Sequence, residues 1–339
     1  MSKVLAIAGI VKAGAKFVTG PGFLPINREY LLLNDDTVTA SDVSGSIARL
    51  FIYPIKSCAG VELQESILTE TGLDLDRAWM VVDADGVFVT QRALPRMALI
   101  KPQLKLYEVV LRAPGMLALH LQIDQVEQAT QVKVWDDTVA AFDMGDLAAQ
   151  WLSDFLNVSP DKSSSTNWQK YRLVRFDPAH KRLSKMSWTD GVEALNQFAD
   201  GFPILVISTA SLDGLNRRLI VSGQAPVTME RFRPNIVLSG VDEHDEDRIG
   251  DMTITLAADA GATAGTVSLR PVKPCPRCPL PNVDPLTATV SPAVGDTLQT
   301  YRQDARVGGA ISFGMNAIVI NGIDQLLKVG QAVTGNYRF

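Results

Sequence analysis

Pro271-Val272-Lys273-Pro274-Cys275-Pro276-Arg277-Cys278-Pro279-Leu280-Pro281-Asn282-Val283-Asp284-Pro285 carries two of the three cysteines of this 339-residue chain. Proline fixes φ and removes a backbone donor, so the stretch is expected to be neither mid-helix nor the middle of a central strand. It reads as a rigid, shaped loop that presents two thiols and one guanidinium. A soft metal, a redox disulfide or a bound anion would each account for it.

Working outward, Thr266–Leu269 reads as the strand that feeds this loop, paired with Met252–Leu256 across the Gly-Ala-rich residues 258 to 265. Before it lie Pro234–Leu238 and the apolar strand Phe202–Ile207. Ser208-Thr209-Ala210-Ser211 should cap a helix with Leu212, Leu215 and Leu219 on its apolar face. After it, Ala317–Asn321 and Gln331–Val333 add short strands. The first half is mainly β: Ala48–Ile55, Val61–Leu68, Ala78–Asp83 with a hairpin at Asp85-Gly86 and Val87–Thr90 returning, then Met97–Val110, Met116–Ile123 and Gln131–Trp135. A helix should open at Asp143, capped by Asp143 or Asp146, with Leu147, Trp151 and Phe155 at helical spacing. Tyr171–Phe176 reads as a strand and residues 177–190 as a polar loop. Asp161–Asn167 is a Ser-rich break. The expected organisation is an extension over 1–45, a β-rich domain over 46–165 and a second over 170–339; the fold class is α+β, β-rich.

Hydrophobic content of 46% and charged content of 20% describe a globular chain with a sizeable core. The net charge of -5 argues against bulk binding to a nucleic acid polymer or an anionic membrane, yet leaves room for a small basic pocket. Three cysteines fit a reducing compartment rather than a disulfide scaffold. One Cys-x-x-Cys with three histidines makes a poor zinc site, and an iron–sulfur cluster usually needs more thiolates. A metal here would therefore bring most of its own ligands. The apolar run Val4–Val11 is too short to span a bilayer, and no transmembrane span is expected. Residues 1–45 read as a disposable or docking extension. The expected location is the cytoplasm, with a mitochondrial or membrane-surface address as the alternative.

Other candidates surround the cysteine loop. Lys56-Ser57 sits in a turn after a strand, where an ammonium, a hydroxyl and turn amides can cradle a phosphate; it also reads as a plain solvated turn. Asp76-Arg77 is either a local ion pair or a bidentate anion donor. Arg233 and Asn235 share one face of an entering strand and suit an anionic or amide-bearing heterocycle. Prolines 276, 279 and 281 argue against the helix that a thioredoxin-like thiol pair uses. Arg277 would favour a thiolate at Cys278 and could also hold an anion. His120, His180 and His244 read as structural or solvent-exposed.

Together these segments resemble the MOSC family, the molybdenum-cofactor sulfurase C-terminal domain proteins, and within it the amidoxime-reducing branch found in mitochondria and bacteria. The matching pieces are Tyr53-Pro54-Ile55-Lys56-Ser57-Cys58, Gly72-Leu73 through Asp76-Arg77-Ala78-Trp79, Thr90-Gln91-Arg92 with Pro95-Arg96-Met97, and Phe232-Arg233-Pro234-Asn235. Asp247-Arg248-Ile249-Gly250-Asp251, Arg277-Cys278, Val283-Asp284-Pro285, Tyr301-Arg302 and Phe313-Gly314 complete the set. The resemblance implies a MOSC N-terminal β-barrel-like domain followed by a MOSC β-barrel domain, with molybdopterin-bound molybdenum between them. It implies Cys278 as the metal ligand and catalytic centre, and Lys56, Ser57, Arg77, Arg233, Asn235, Pro276 and Arg277 as cofactor contacts, with backbone from Asp200-Gly201-Phe202. The dithiolene of such a cofactor brings two sulfurs, so one protein thiolate suffices; pyridoxal phosphate is not expected. The implied activity is reduction of N-hydroxylated compounds (amidoximes, hydroxylamines, hydroxylated nucleobases). Electrons would come from a separate donor, ferredoxin-like or cytochrome b5-like with its reductase. A cofactor carrier or sulfur-transfer module without small-molecule turnover is the alternative. Asp284 is a candidate proton donor, or a turn-capping carboxylate. The chain departs from the family pattern at Pro281-Asn282, Thr287-Ala288 and the insertion at 258–265, which bear on substrate preference.

Overall fold

The computed structural model describes residues 41–157, 168–256 and 265–338. Strand β1 (Val43–Ile52) is followed by β2 (Val61–Leu63), β3 (Glu65–Thr69), β4 (Gly72–Leu73) and β5 (Trp79–Val82). Next, β6 (Lys101–Leu104), β7 (Glu108–Arg112) and β8 (Leu119–Gln122) form an antiparallel sheet. The hairpin β9 (Gln128–Val134) and β10 (Asp137–Asp143) leads into helix α1 (Asp146–Leu156), and β11 (Arg172–Phe176) completes a sheet of order β5-β11-β10-β9. The second half runs β12 (Ile204–Ser208), α2 (Thr209–Val221), β13 (Ile236–Ser239), β14 (Ile249–Thr255), β15 (Thr266–Pro276), α3 (Ala293–Gln299) and β16 (Gln303–Asp304). It ends with β17 (Ala310–Asn321), β18 (Leu326–Lys328) and β19 (Ala332–Tyr337).

Seven of these strands close a barrel in the order β12-β13-β1-β19-β14-β15-β17, with β17 returning to β12 through Ile204↔Ala317 and Val206↔Met315. Closure removes the unpaired edges of an open sheet. The barrel interior is filled by Ile47, Leu50, Val206, Ile236, Val267, Leu269 and Ala317, all almost fully buried. Strand β1, from the first half of the chain, lies between β13 and β19, so both halves build one barrel. At Gly314 (φ 79) a Cβ would meet the Val206 carbonyl oxygen at 2.7 Å and Ile207 Cγ1 at 2.5 Å, so only glycine fits where β17 closes on β12.

Several expectations are corrected. The proline stretch does not leave the sheet at once: β15 pairs with β17 as far as Pro276↔Ser312, with register shifts at Pro271/Lys273 and Pro274/Pro276. Strand β14 pairs with β15 only over Thr266–Leu269, so the prolines lie where one side of β15 has no ladder to maintain. Asp143 ends β10 rather than opening a helix. Its carboxylate pairs with Arg172 and accepts from the Gly145 amide at 2.7 Å, and α1 begins at Asp146 after the N-cap Gly145. Leu147 is exposed, while Trp151, Leu152 and Phe155 are buried. Val87–Thr90 returns without a ladder, through the isolated bridges Val82↔Phe88 and Val87↔Lys133. Met97–Val110 is a 3-10 turn and two strands. Strand β1 starts at Val43, inside the expected extension. The breaks expected at 161–167 and, but for Gly265, at 258–265 lie outside the described residues.

Helix α2 begins where the sequence indicates. Ser208 is its N-cap, and its Oγ accepts from the Ser211 amide at 3.1 Å. Ser208→Ala should cost about 1 kcal/mol in a urea titration, the usual loss for a removed cap; an unchanged midpoint would mean that this hydroxyl does not hold the helix start.

Candidate functional site

Six chain segments converge on an open cleft of about 810 Å³. Its lining includes Lys56 and Ser57 after β1, Arg77 after β4, Arg92, the loop 199–202 before β12, Arg233 and Asn235 before β13, and Cys275 to Cys278 across the end of β15. The charged lining residues are five cations (Lys56, Arg77, Arg92, Arg233, Arg277) and one carboxylate, Asp200. In a chain of net charge -5 this concentration selects for an anionic ligand.

Each cation is placed by main-chain geometry. Pro54 stops β1, and the Lys56 amide donates to the Trp79 carbonyl at 2.8 Å. The Lys56 ammonium is buried and donates to the Phe198 carbonyl at 2.8 Å and to Asp200 Oδ1 at 2.6 Å. Burial pushes its pKa down, against the pull of Asp200. Arg77 donates to Asp76, to Asn235 Oδ1 at 3.1 Å and to the Arg233 carbonyl at 3.1 Å. Its guanidinium carbon lies 4.5 Å from the Tyr53 ring centroid, and that of Arg233 lies 4.1 Å from the same ring. Burial first, and then the Arg77 charge, lower the Arg233 pKa to about 10, so it stays protonated at neutral pH. Asn235 is fully engaged: its Oδ1 accepts from Arg77 and from the Leu205 amide at 3.1 Å, while Nδ2 donates to the Phe51 carbonyl at 3.3 Å. It lines the cleft but serves to aim Arg77.

Ser57 (φ 67), Arg77 (φ 51) and Arg233 (φ 58) all hold left-handed backbone. Such residues persist only where the surroundings over-determine them, and three in one cleft make it the candidate site. Two buried polar atoms here, Arg233 Nη2 and Tyr53 OH, have no hydrogen-bond partner. An orphaned donor beside paired guanidiniums fits an anionic group entering the cleft.

The cysteine loop enters from β15. Both Cys275 and Cys278 are partly exposed and line the cleft; burial pushes the Cys275 thiol up. The third cysteine, Cys58, is buried, and burial pushes its thiol up to about 12. Arg277 lines the cleft and spends one N–H of each guanidinium nitrogen on the protein. It donates to the Phe313 carbonyl through Nε at 2.9 Å and again through Nη2, and to the Phe232 carbonyl through Nη1 at 2.9 Å. It is a strut that ties the cysteine loop to β17 and to the turn bearing Arg233. Among the described residues no three His, Cys, Asp or Glu side chains are grouped to hold a metal ion. A metal at Cys278 would rely on ligands from a cofactor.

Asp284 stands apart from the cleft. It pairs with Arg231 Nη2 at 2.7 Å and accepts from the Leu286 and Thr287 amides at 2.8 and 3.0 Å. Burial alone would raise its pKa, but these amides and Arg231 hold the carboxyl below the usual range, as suits a turn-capping carboxylate.

Residues 44–159 match the MOSC N-terminal beta barrel domain, and residues 194–334 match the MOSC domain. The rat "Mitochondrial amidoxime reducing component 2" is 35% identical over 269 residues, covering 76% of this chain and 72% of the relative. The chain belongs to the MOSC family. The human "Mitochondrial amidoxime-reducing component 1" is 34% identical with the same coverage, and the human "Molybdenum cofactor sulfurase" is 27% identical over 79% of this chain but 29% of its own length. The fold is α+β and strand-rich with a closed seven-stranded barrel, as the resemblance implies. Among the described residues no helix is long and apolar enough to cross a membrane.

In this MOSC chain the sequence reading assigned no site role to Arg92, which lines the cleft, or to Trp135, whose Nε1 donates to Asp200 Oδ1. Arg92 stands only as part of a matching motif, and Trp135 as the end of a strand. The histidines lie outside the cleft lining. His120 is exposed and within 3.0 Å of Glu108, whereas His244 is largely buried against Tyr301 and Phe313. Burial, and then Arg302, lower the His244 pKa to about 4. The unfolded chain therefore binds this proton more readily than the folded one. Stability should fall as pH drops from about 6.5 toward 4, by at most about 1.4 kcal/mol per pH unit for one group. His244→Asn, which tolerates the left-handed φ of 67 at this position, should flatten that slope in urea titrations; an unaltered slope would assign it elsewhere.

Proposed function

We propose that this chain is a molybdenum-cofactor-dependent reductase of N-hydroxylated compounds, taking electrons from a separate redox protein. The observation that carries the proposal is the cleft itself, where an accessible thiol and a cation set that exceeds its protein partners meet on one wall. The names of the amidoxime-reducing relatives supply the activity. When bound, the cofactor supplies a two-electron centre able to take oxygen from nitrogen; the net reaction is R–NHOH + 2e⁻ + 2H⁺ → R–NH₂ + H₂O. Cys278 would hold the metal. Lys56, Ser57, Arg77 and Arg233 would receive the anionic part of the cofactor, with Asn235 aiming Arg77 and Pro276 shaping the wall. Arg277 ties the cysteine loop to the Phe232 and Phe313 carbonyls. The electron donor is proposed to be ferredoxin-like or cytochrome b5-like, and the relatives' mitochondrial names make residues 1–45 a candidate address segment.

The test is the metal and pterin content of protein purified from a host that makes the cofactor, followed by turnover of an amidoxime with a reduced dye as donor. Near-stoichiometric molybdenum with turnover supports the reading. Cofactor without turnover on any N-hydroxylated compound would turn it into a carrier or sulfur-transfer module. A folded protein with neither metal nor pterin, from a host of verified cofactor supply, would sink both.

A further inference from the structure

A second cavity, with an open volume of about 1200 Å³, backs onto the cleft. The two have one lining residue in common, Arg233. Elsewhere the same chain segments wall both. Ser57 lines the cleft and Cys58 the second cavity; Thr90 and Arg92 line the cleft, while Gln91 between them lines the second cavity. The division continues past the cysteines, where Leu280 and Pro281 line the cleft and Val283, Pro285 and Leu286 the second cavity. Arg231 spans that division, donating to the Pro281 carbonyl at 3.2 Å and to Asp284 Oδ2 at 2.7 Å.

Gln91 is the informative residue. It is 4% exposed, and among the described residues its side chain has no hydrogen-bond partner. Buried amides are almost always partnered, so one left free on a cavity wall is suited to a polar group that enters the cavity. Around it the wall is apolar, built from Ala59, Val61, Ala98, Pro102 and Val283. Leu286, 71% exposed, carries that apolar wall out to solvent. The charged lining residues are mostly spent on the protein. Arg49 holds both Glu62 and Glu230, and Asp284 holds Arg231. Arg233 gives Nη1 to the Cys58 carbonyl and lies against the Tyr53 ring. Lys101 is exposed, where salt screens it. Two carboxylates on one guanidinium disfavour an anionic head, and no carboxylate of the lining is left free for a cationic one.

We propose that this cavity is a second binding site, for an uncharged molecule that joins an apolar body to an amide head, with Gln91 taking the head. An amide matches Gln91 group for group, since each offers an acceptor oxygen and N–H donors. The apolar wall takes the rest of the molecule, as in most small-molecule sites. The site goes beyond the reductase reading and needs no cofactor, so the two stand or fall separately.

The test titrates N-phenyl-1-naphthylamine, an uncharged dye that brightens in apolar surroundings, into the purified full chain. Its emission should rise and saturate. Octanamide should displace the dye at about five-fold lower concentration than octanoate, the size of one neutral hydrogen bond. Acetamide, the head without the body, should not displace it at the same concentration. Gln91→Leu should keep the dye but bind octanamide about five-fold more weakly. Ala59→Leu fills the cavity and should remove dye binding while the urea midpoint stays near native; should that variant not fold, Val61→Phe fills the same space from β2. A dye signal that survives cavity filling, or no dye binding at all, would overturn the site and leave the Gln91 amide to water. Octanamide and octanoate displacing alike, in the native chain and in Gln91→Leu, would overturn the ligand class. Turnover of an N-hydroxylated compound without the dye signals would keep the reductase and remove this site; the dye signals in a chain with neither metal nor pterin would do the reverse.

Discussion

Cys278→Ala should purify as a folded protein that holds almost no molybdenum. The residue is partly exposed at the start of a loop that Arg277, not the cysteine, ties down, so losing its sulfur should cost under about 1 kcal/mol. On the proposed assignment the metal would lose its protein ligand, and no cluster of His, Cys, Asp or Glu among the described residues stands ready to replace it. Reductase turnover should fall at least about 100-fold, beyond what removal of an outer-shell partner costs. Cys275→Ala is the contrast. It lines the same cleft, but burial pushes its thiol up and away from the thiolate form that a metal needs, so that variant should keep most of its metal. Metal content by mass spectrometry beside a urea titration checks both. Stoichiometric molybdenum and unimpaired turnover in Cys278→Ala would remove the cysteine from the chemistry.

Strands such as those within Ala78–Asp83 and Phe202–Ile207 were legible because a short, continuous apolar run reads as a buried strand. Strand β10 was not. Its last residue, Asp143, reads locally as a helix cap, and only its pairing with Gln128 and Val174 shows it to be the end of a strand. Helix α3 hides in Ala293-Val294-Gly295-Asp296, where glycine and a short length erase the apolar period. Barrel closure is also invisible locally, because β1 pairs with β19 at the far end of the chain. The site divides along the same line. Cysteine spacing and the Lys-Ser, Asp-Arg and Arg-Pro-Asn segments point to it directly. What each side chain does there depends on carbonyls supplied from elsewhere. Arg277 reads as an anion holder, and the sequence does not show that the Phe232 and Phe313 carbonyls hold one N–H of each of its nitrogens.

Asp76→Asn should be the most damaging single-atom change in the cleft, costing about 3–5 kcal/mol, the usual loss when one partner of a buried ion pair is removed. Asp76 is 4% exposed. Its Oδ1 accepts from the Tyr53 amide at 2.8 Å, while Oδ2 takes the Arg77 guanidinium. Two guanidiniums, Arg77 and Arg233, lie against the fully buried Tyr53 ring, and Asp76 is the carboxylate that pairs with Arg77. Asparagine keeps the shape but can turn a donor toward Arg77, leaving two like charges under desolvation. The midpoint of a urea titration should fall with little change in its slope, because the folded surface is the same. An anionic ligand in the cleft would then supply the missing charge. The cofactor-loaded variant should recover part of the loss, since binding at a hundred times Kd contributes about 2.7 kcal/mol. A loss under about 1 kcal/mol would mean that water already screens this pair, and the cations would then have to be held in place by their carbonyl contacts alone. A full loss without recovery on loading would mean that the anion binds away from Arg77. The two numbers together would locate the charge of the ligand within the cleft.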